Sequence, residues 1–202
     1  MSANPSSSQV APPRRLSDEE WAALPEDVDG ELVDGVLVEE EAPDYAHEAV
    51  VVWLIYVLAG WTRSHGGIVG GSEAKFVLQR GRGRKPDLSM FLPGGAKPPR
   101  RGAVRAAPDL MVEVISRASR DVRRDRIEKM DEYAAFGVRW YWLVDPEART
   151  FEIYERTEAG IYARVVGAAE GRIDTVPGLA GLTLDLDDLW SKVDELPEEA
   201  PP

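Results

Sequence analysis

A lone acid, Glu113, interrupts the apolar run Leu110-Met-Val-Glu-Val-Ile115. The run reads as the most apolar strand of the chain, and alternation sets Met111, Glu113 and Ile115 on one of its faces. A carboxylate there is costly unless something pairs with it, and a divalent metal shared with a second carboxylate is one of the few good partners. Asp87, in Lys85-Pro86-Asp87, is the candidate second acid. The plainer readings are a buried Glu113 bound by arginine or backbone amides, and an Asp87 that merely occupies a turn after proline. A second Pro-Asp ends at Asp109, too close to Glu113 in sequence to come from a neighbouring strand.

The elements around this strand alternate. Ser17 precedes Asp18-Glu19-Glu20 as a helix cap, and Asp34-Gly35 between two apolar triplets signals an N-terminal hairpin. A long helix over residues 45–64 follows, capped by Asp44 and stopped by Gly66-Gly67. Its apolar run, residues 49–61, falls short of the ~20 residues that cross a bilayer, so it reads as a buried helix with no membrane role. Strands are expected at 68–69, 75–79 and 87–91, the last entered through the glycine-rich turn Arg80-Gly-Arg-Gly-Arg84. A Pro/Gly/Arg-rich loop leads to the Glu113 strand. Ser119 then caps a helix over residues 120–136 that Gly137 ends, followed by a strand at 140–144, a C-terminal hairpin (151–154 with 162–166) and a weak acidic helix near 186–193. This order predicts an α/β fold: a three-layer core whose central mixed sheet is flanked by helices. The expected domain spans residues 16–190, between a disordered tail (1–15) and an acidic Pro/Glu tail (191–202).

With no cysteine and two histidines, the 202-residue chain can build neither a disulfide framework nor a thiolate metal site, so any metal sits on oxygen. The N-terminal stretch lacks the apolar core of a signal peptide, giving a cytoplasmic expectation. The net charge of −12 is uneven: residues 80–126 hold 13 Lys and Arg against five Asp and Glu, +8, leaving −20 elsewhere. A basic site region on an acidic body is compatible with a nucleic-acid partner; solvated arginine-rich loops are the alternative.

Pro86-Asp87, the string Pro108-Asp-Leu-Met-Val-Glu-Val-Ile-Ser116, and Lys129-x3-Tyr133-x3-Gly137-Val138-x2-Tyr141-Trp-Leu-Val-Asp-Pro146 together resemble the Uma-two family of putative restriction endonucleases, within the PD-(D/E)xK nuclease-like class. Glu31-Leu-Val-Asp-Gly35 and His47 extend the match to about residues 16–166. The resemblance implies a restriction-endonuclease-like core and a Mg²⁺-dependent endonuclease acting on DNA, with Mn²⁺ able to substitute. It assigns Asp87 and Glu113 to the metal, with the carbonyl of Val114. Ile115 stands where such nucleases carry a catalytic lysine, and Lys129 on the following helix is the replacement candidate, in a stripe with Asp125 and Tyr133. The plain reading of Lys129 is a surface lysine paired with Asp125, whose loss would hardly change stability. Lys75 and Lys85 are the fallback cations.

Glu31, His47 and Tyr133 are accessory candidates, with an exposed hairpin glutamate and a structural histidine as the plainer roles of the first two. Arg80, Arg82, Arg84 and Lys85 are the expected phosphate contacts. Trp140, Tyr141 and Trp142 read as core rather than as a base-stacking surface. A homodimer is expected because two strands of a duplex need two sites. The alternative function is a degenerate nuclease-fold module that binds nucleic acid or a protein without cleavage, and a third is a purely structural protein in which arginine neutralises Glu113.

Overall fold

In the computed structural model the described residues are 15–25, 28–39, 43–116 and 124–197. Ser17 caps α1 (Asp18–Ala22) reciprocally: its hydroxyl accepts from the Glu20 amide, and the Glu20 carboxylate accepts from the Ser17 amide. Asp34 and Gly35, both at positive φ, turn β1 (Glu31–Val33) into β2 (Val36–Val38). Asp44 caps α2 (Tyr45–His65) by accepting from the His47 amide at 2.9 Å, and Gly66 at φ 81° ends it. Then come β3 (Ile68–Gly70), the hairpin of β4 (Phe76–Gln79) and β5 (Arg82–Arg84), β6 (Leu88–Phe91) and β7 (Leu110–Val114). A π-helical turn, Arg124–Lys129, runs into α3 (Met130–Phe136). The chain continues through β8 (Trp140–Asp145), β9 (Thr150–Arg156), β10 (Tyr162–Ala168), the short ribbon β11 (Arg172–Ile173) with β12 (Leu184–Asp185), and α4 (Leu186–Asp194).

The larger sheet has the order β10-β9-β8-β7-β6-β3, and within it β7 and β8 pair in parallel while the other neighbours are antiparallel. Parallel pairing needs a crossover, and the π turn with α3 supplies it on one face. There Tyr133 and Val138 bury against Met111, Tyr141 and Leu143. On the other face Val50, Leu54 and Leu58 of α2 and Leu186 and Leu189 of α4 cover Val112, Trp142 and Val144. Each fully buried aliphatic contributes roughly 1.5–3 kcal/mol, which fixes the layering. The result is the central mixed sheet flanked by helices that the sequence order predicts. α2 is long and apolar enough by length and composition to cross a membrane, but its inner face is spent on this sheet.

The glycine-rich stretch departs from expectation. Residues 82–84 form a strand rather than a turn, pairing with β1 on one side and β4 on the other to make a second sheet, β2-β1-β5-β4. Gly83 makes this possible: a Cβ there would come 2.3 Å from the ring of the fully buried Trp21, which lies across the strand. The expected domain limit at residue 190 falls inside α4, where Trp190 is buried and Val193 packs against the core, so the helix carries the fold on to Asp194. The expected cap Ser119, the start of the second helix, and the tails 1–14 and 198–202 lie outside the described residues.

Candidate active site

The antiparallel register of β6 and β7 pairs Leu88 with Val112, and one step further brings Asp87 opposite Glu113 on the face that looks toward α3. Asp87 Oδ2 accepts from the Val114 amide at 2.7 Å, which ties the start of β6 to the end of β7. The same oxygen lies 3.2 Å from His47 Nε2, brought in from the first turn of α2. Burial works against an imidazolium at this point, but the Asp87 carboxylate, helped by Glu48 and Asp44, outweighs it and raises the His47 pKa. His47 Nδ1 is buried with no hydrogen bond and 3.6 Å from Glu48.

Glu113 is 2 % exposed. Lys129 Nζ donates to its Oε2 at 2.8 Å, and the Tyr133 hydroxyl donates to its Oε1 at 2.5 Å. Lys129 and Tyr133 are four residues apart and share one helical face, so a single carboxylate takes a donor from each. Tyr133 is fully buried, and burial together with the negative charge of Glu113 holds its pKa well above the ordinary value. Glu31 arrives from the second sheet. It is 1 % exposed, accepts from Arg84 Nη1 at 2.6 Å and from the Lys85 amide at 3.0 Å, and lies 3.7 Å from Lys129 Nζ. Thus a buried lysine stands between two buried glutamates. Ile115, one residue past the end of β7, is apolar core.

Asp87, just before β6, and Glu113, on β7, thus lie side by side, and Lys129 at the end of the π-helical turn faces Glu113. The model of the Uma2 family, described as "Putative restriction endonuclease", matches residues 18–187. The chain belongs to the Uma2 family. The crystal structure of a putative nuclease belonging to DUF820 from Anabaena variabilis superposes with a TM-score of 0.69 at 18% identity, covering 88% of this chain and 99% of that one, which is a likeness of fold. No curated protein matches the chain.

The plainer readings fail at some candidates of this Uma2 chain and hold at others, and most of the expected phosphate contacts are already paired. Lys129 is not a surface lysine: at 2 % exposure it is spent on Glu113, and the side chain of Asp125 lies outside the described residues. Glu31 is buried rather than an exposed hairpin acid. Arg84 is 0 % exposed and cannot reach a phosphate, being committed to Glu31 and, through Nε and Nη2, to Glu132. Despite that burial, the two glutamates raise its pKa. Arg82 bonds Glu132 and Asp34, and Lys85 bonds Asp29 and Glu73, while Arg80 remains exposed. The fallback Lys75 donates to the carbonyls of Trp21 and Leu24 at the end of α1. Trp140, Tyr141 and Trp142 are buried core.

Two participants escaped the sequence reading. Glu132 joins the Arg84 pair, and its place three residues after Lys129 and one before Tyr133 was the available signal. Arg126 donates to Glu152 at 2.8 Å and Asp145 at 3.3 Å, which fastens the turn that delivers Lys129; nothing in the local pattern announces a contact between elements so far apart in sequence.

Proposed function

We propose that the chain is a cytoplasmic, Mg²⁺-dependent endonuclease that hydrolyses phosphodiester bonds in DNA, with Asp87, Glu113 and Lys129 as its catalytic residues. The observation that carries this reading is the 2.8 Å contact of Lys129 Nζ with Glu113 Oε2, by which a helix returns the cation that Ile115 leaves out of the strand. Among the described residues no three His, Asp or Glu side chains form a cage for a metal, so a hard ion that keeps most of its waters suits the site better than one needing a full protein shell. Asp87 and Glu113, with the Val114 carbonyl, would hold it, and Mn²⁺ would substitute. Asp87 supports the fit: it is partly exposed, and its Oδ1 accepts no hydrogen bond among the described residues. When bound, the ion supplies a more acidic water and offsets charge building on the scissile phosphate.

The chain's own groups do the remaining work. Lys129 holds an ammonium at the acid pair, where it can stabilise a hydroxide that attacks the phosphorus, or the charge that develops on the phosphate's non-bridging oxygens. Tyr133 keeps its proton and fixes the Glu113 carboxylate in plane, and His47 does the same for Asp87. A homodimer would present two such centres to the two strands of a duplex.

Nicking of a supercoiled plasmid with Mg²⁺ or Mn²⁺, and its loss in chelator, tests the reading. Lys129→Met should lower the rate by about 10²- to 10⁴-fold. A second reading has its own support, because both Glu113 oxygens already carry donors: a module that keeps the fold and binds DNA without cutting. Calorimetry separates the two. Mg²⁺ binding that Asp87→Asn abolishes favours the endonuclease, and DNA binding with no Mg²⁺ or Mn²⁺ heat favours the module.

A further inference from the structure

The outer face of α2 carries large apolar side chains in the open: Tyr45 is 80% exposed, Val52 62%, Tyr56 79% and Ile55 37%. Between Glu48 and Arg63 the helix has no charged residue. Exposed positions recur at 45, 48, 52, 55, 56, 60 and 63, one stripe along the helix by which two helices can pair along a seam, with Ala59 and Thr62 half-buried at its edge. An uncharged stripe of this kind is uncommon on a surface that meets only water.

We propose that this face joins two copies of the chain, α2 against α2, antiparallel about a twofold axis. The charges set the register. Glu48 and Arg63 flank the stripe at opposite ends, and antiparallel pairing sets each against the other's copy on the partner, two ion pairs per dimer. The side-chain sizes then agree without having been used. With 48 facing 63, Val52 meets the half-buried Ala59, Ile55 meets Tyr56 at the axis, and Tyr45 falls beside Gly66, just past the helix end, where Pro93 flanks the glycine. Gly60 lowers the rim of the seam: a Cβ there would meet nothing within 4 Å. A helix of 21 residues offers about 31 Å of seam. The assembly rests on the twofold arrangement proposed above but not on cleavage. It has a bearing on the site, since Glu48 adjoins His47, and Arg63 of the partner subunit would stand beside it.

Sedimentation velocity over a concentration series tests the inference, because it reads mass whether or not the protein cuts DNA. The parent should sediment at twice its 22.3 kDa chain mass. Tyr56→Lys sets two ammonium groups at the axis and should give a monomer whose circular dichroism matches the parent. Glu48→Arg and Arg63→Glu, each alone, should raise the dimer dissociation constant at least roughly tenfold, and the two together should restore it. A parent that is monomeric throughout, including one that instead floats with anionic phospholipid vesicles, overturns the proposal. So does a dimeric Tyr56→Lys protein, or a charge exchange that fails to rescue. A dimer with no nuclease activity would sink the cleavage reading and leave this one standing.

Discussion

Lys129 shows how burial changes what a substitution costs. As an exposed lysine its loss would hardly be felt; at 2 % exposure, bonded to a glutamate equally buried, it cannot be removed without leaving a charge stranded. We expect Lys129→Met to destabilise the fold by roughly 3–5 kcal/mol, measured by urea denaturation, with much of that loss recovered when Glu113→Gln is added. A Lys129→Met protein as stable as the parent would mean that Glu113 has another sufficient partner. The acids themselves were legible in sequence, because a carboxylate in an apolar strand must be answered by something. What answers it was half legible: the spacing of Lys129 and Tyr133 placed both on one helical face, but helical spacing alone does not say whether that face looks inward.

At the level of elements, the sequence announced the main sheet and three strands of the second, and concealed the one that joins them. Alternating apolar runs name their own strands, whereas Arg82-Gly83-Arg84 is a strand only because β1 and β4 receive it and Trp21 needs the missing Cβ. Gly83→Ala should therefore cost about 1–3 kcal/mol by overpacking against Trp21, seen as a lowered Tm. The turn before α3 makes a second case. Glu152 is held by Arg126 and Arg164, and although burial opposes its ionisation these two guanidinium groups outweigh it, so its pKa lies below the ordinary 4.5. A carboxylate depressed on folding contributes stability above its unfolded pKa, and that contribution is lost as pH falls from about 4.5 through the lower folded value. Glu152→Gln should flatten the fall in unfolding free energy across that window; a slope identical to the parent's would detach Glu152 from acid stability.

Across the whole molecule, the arithmetic of charge and its placement diverge. The +8 counted over residues 80–126 includes Arg82, Arg84, Lys85 and Arg126, each already bonded to carboxylates. Exposed Lys97, Arg100 and Arg101 belong to the β6–β7 loop, which joins the ends of those strands opposite Asp87 and Glu113. Of the four expected phosphate contacts, Arg80 alone among the described side chains is exposed. Duplex affinity should still weaken as salt rises, and Arg80→Ala should reduce the slope of log affinity against log salt by about 0.9. No change in slope would remove Arg80 from the interface. The proposed cutting centre also draws on every layer: His47 from α2, Glu31 from the second sheet, Asp87 and Glu113 from the main sheet, Lys129 and Tyr133 from the crossover. A ribosome that stalls between residues 113 and 129 therefore releases a chain that has both acids and no cation to complete them, and one that stalls earlier lacks an acid as well, so abandoned translation products would be released unarmed.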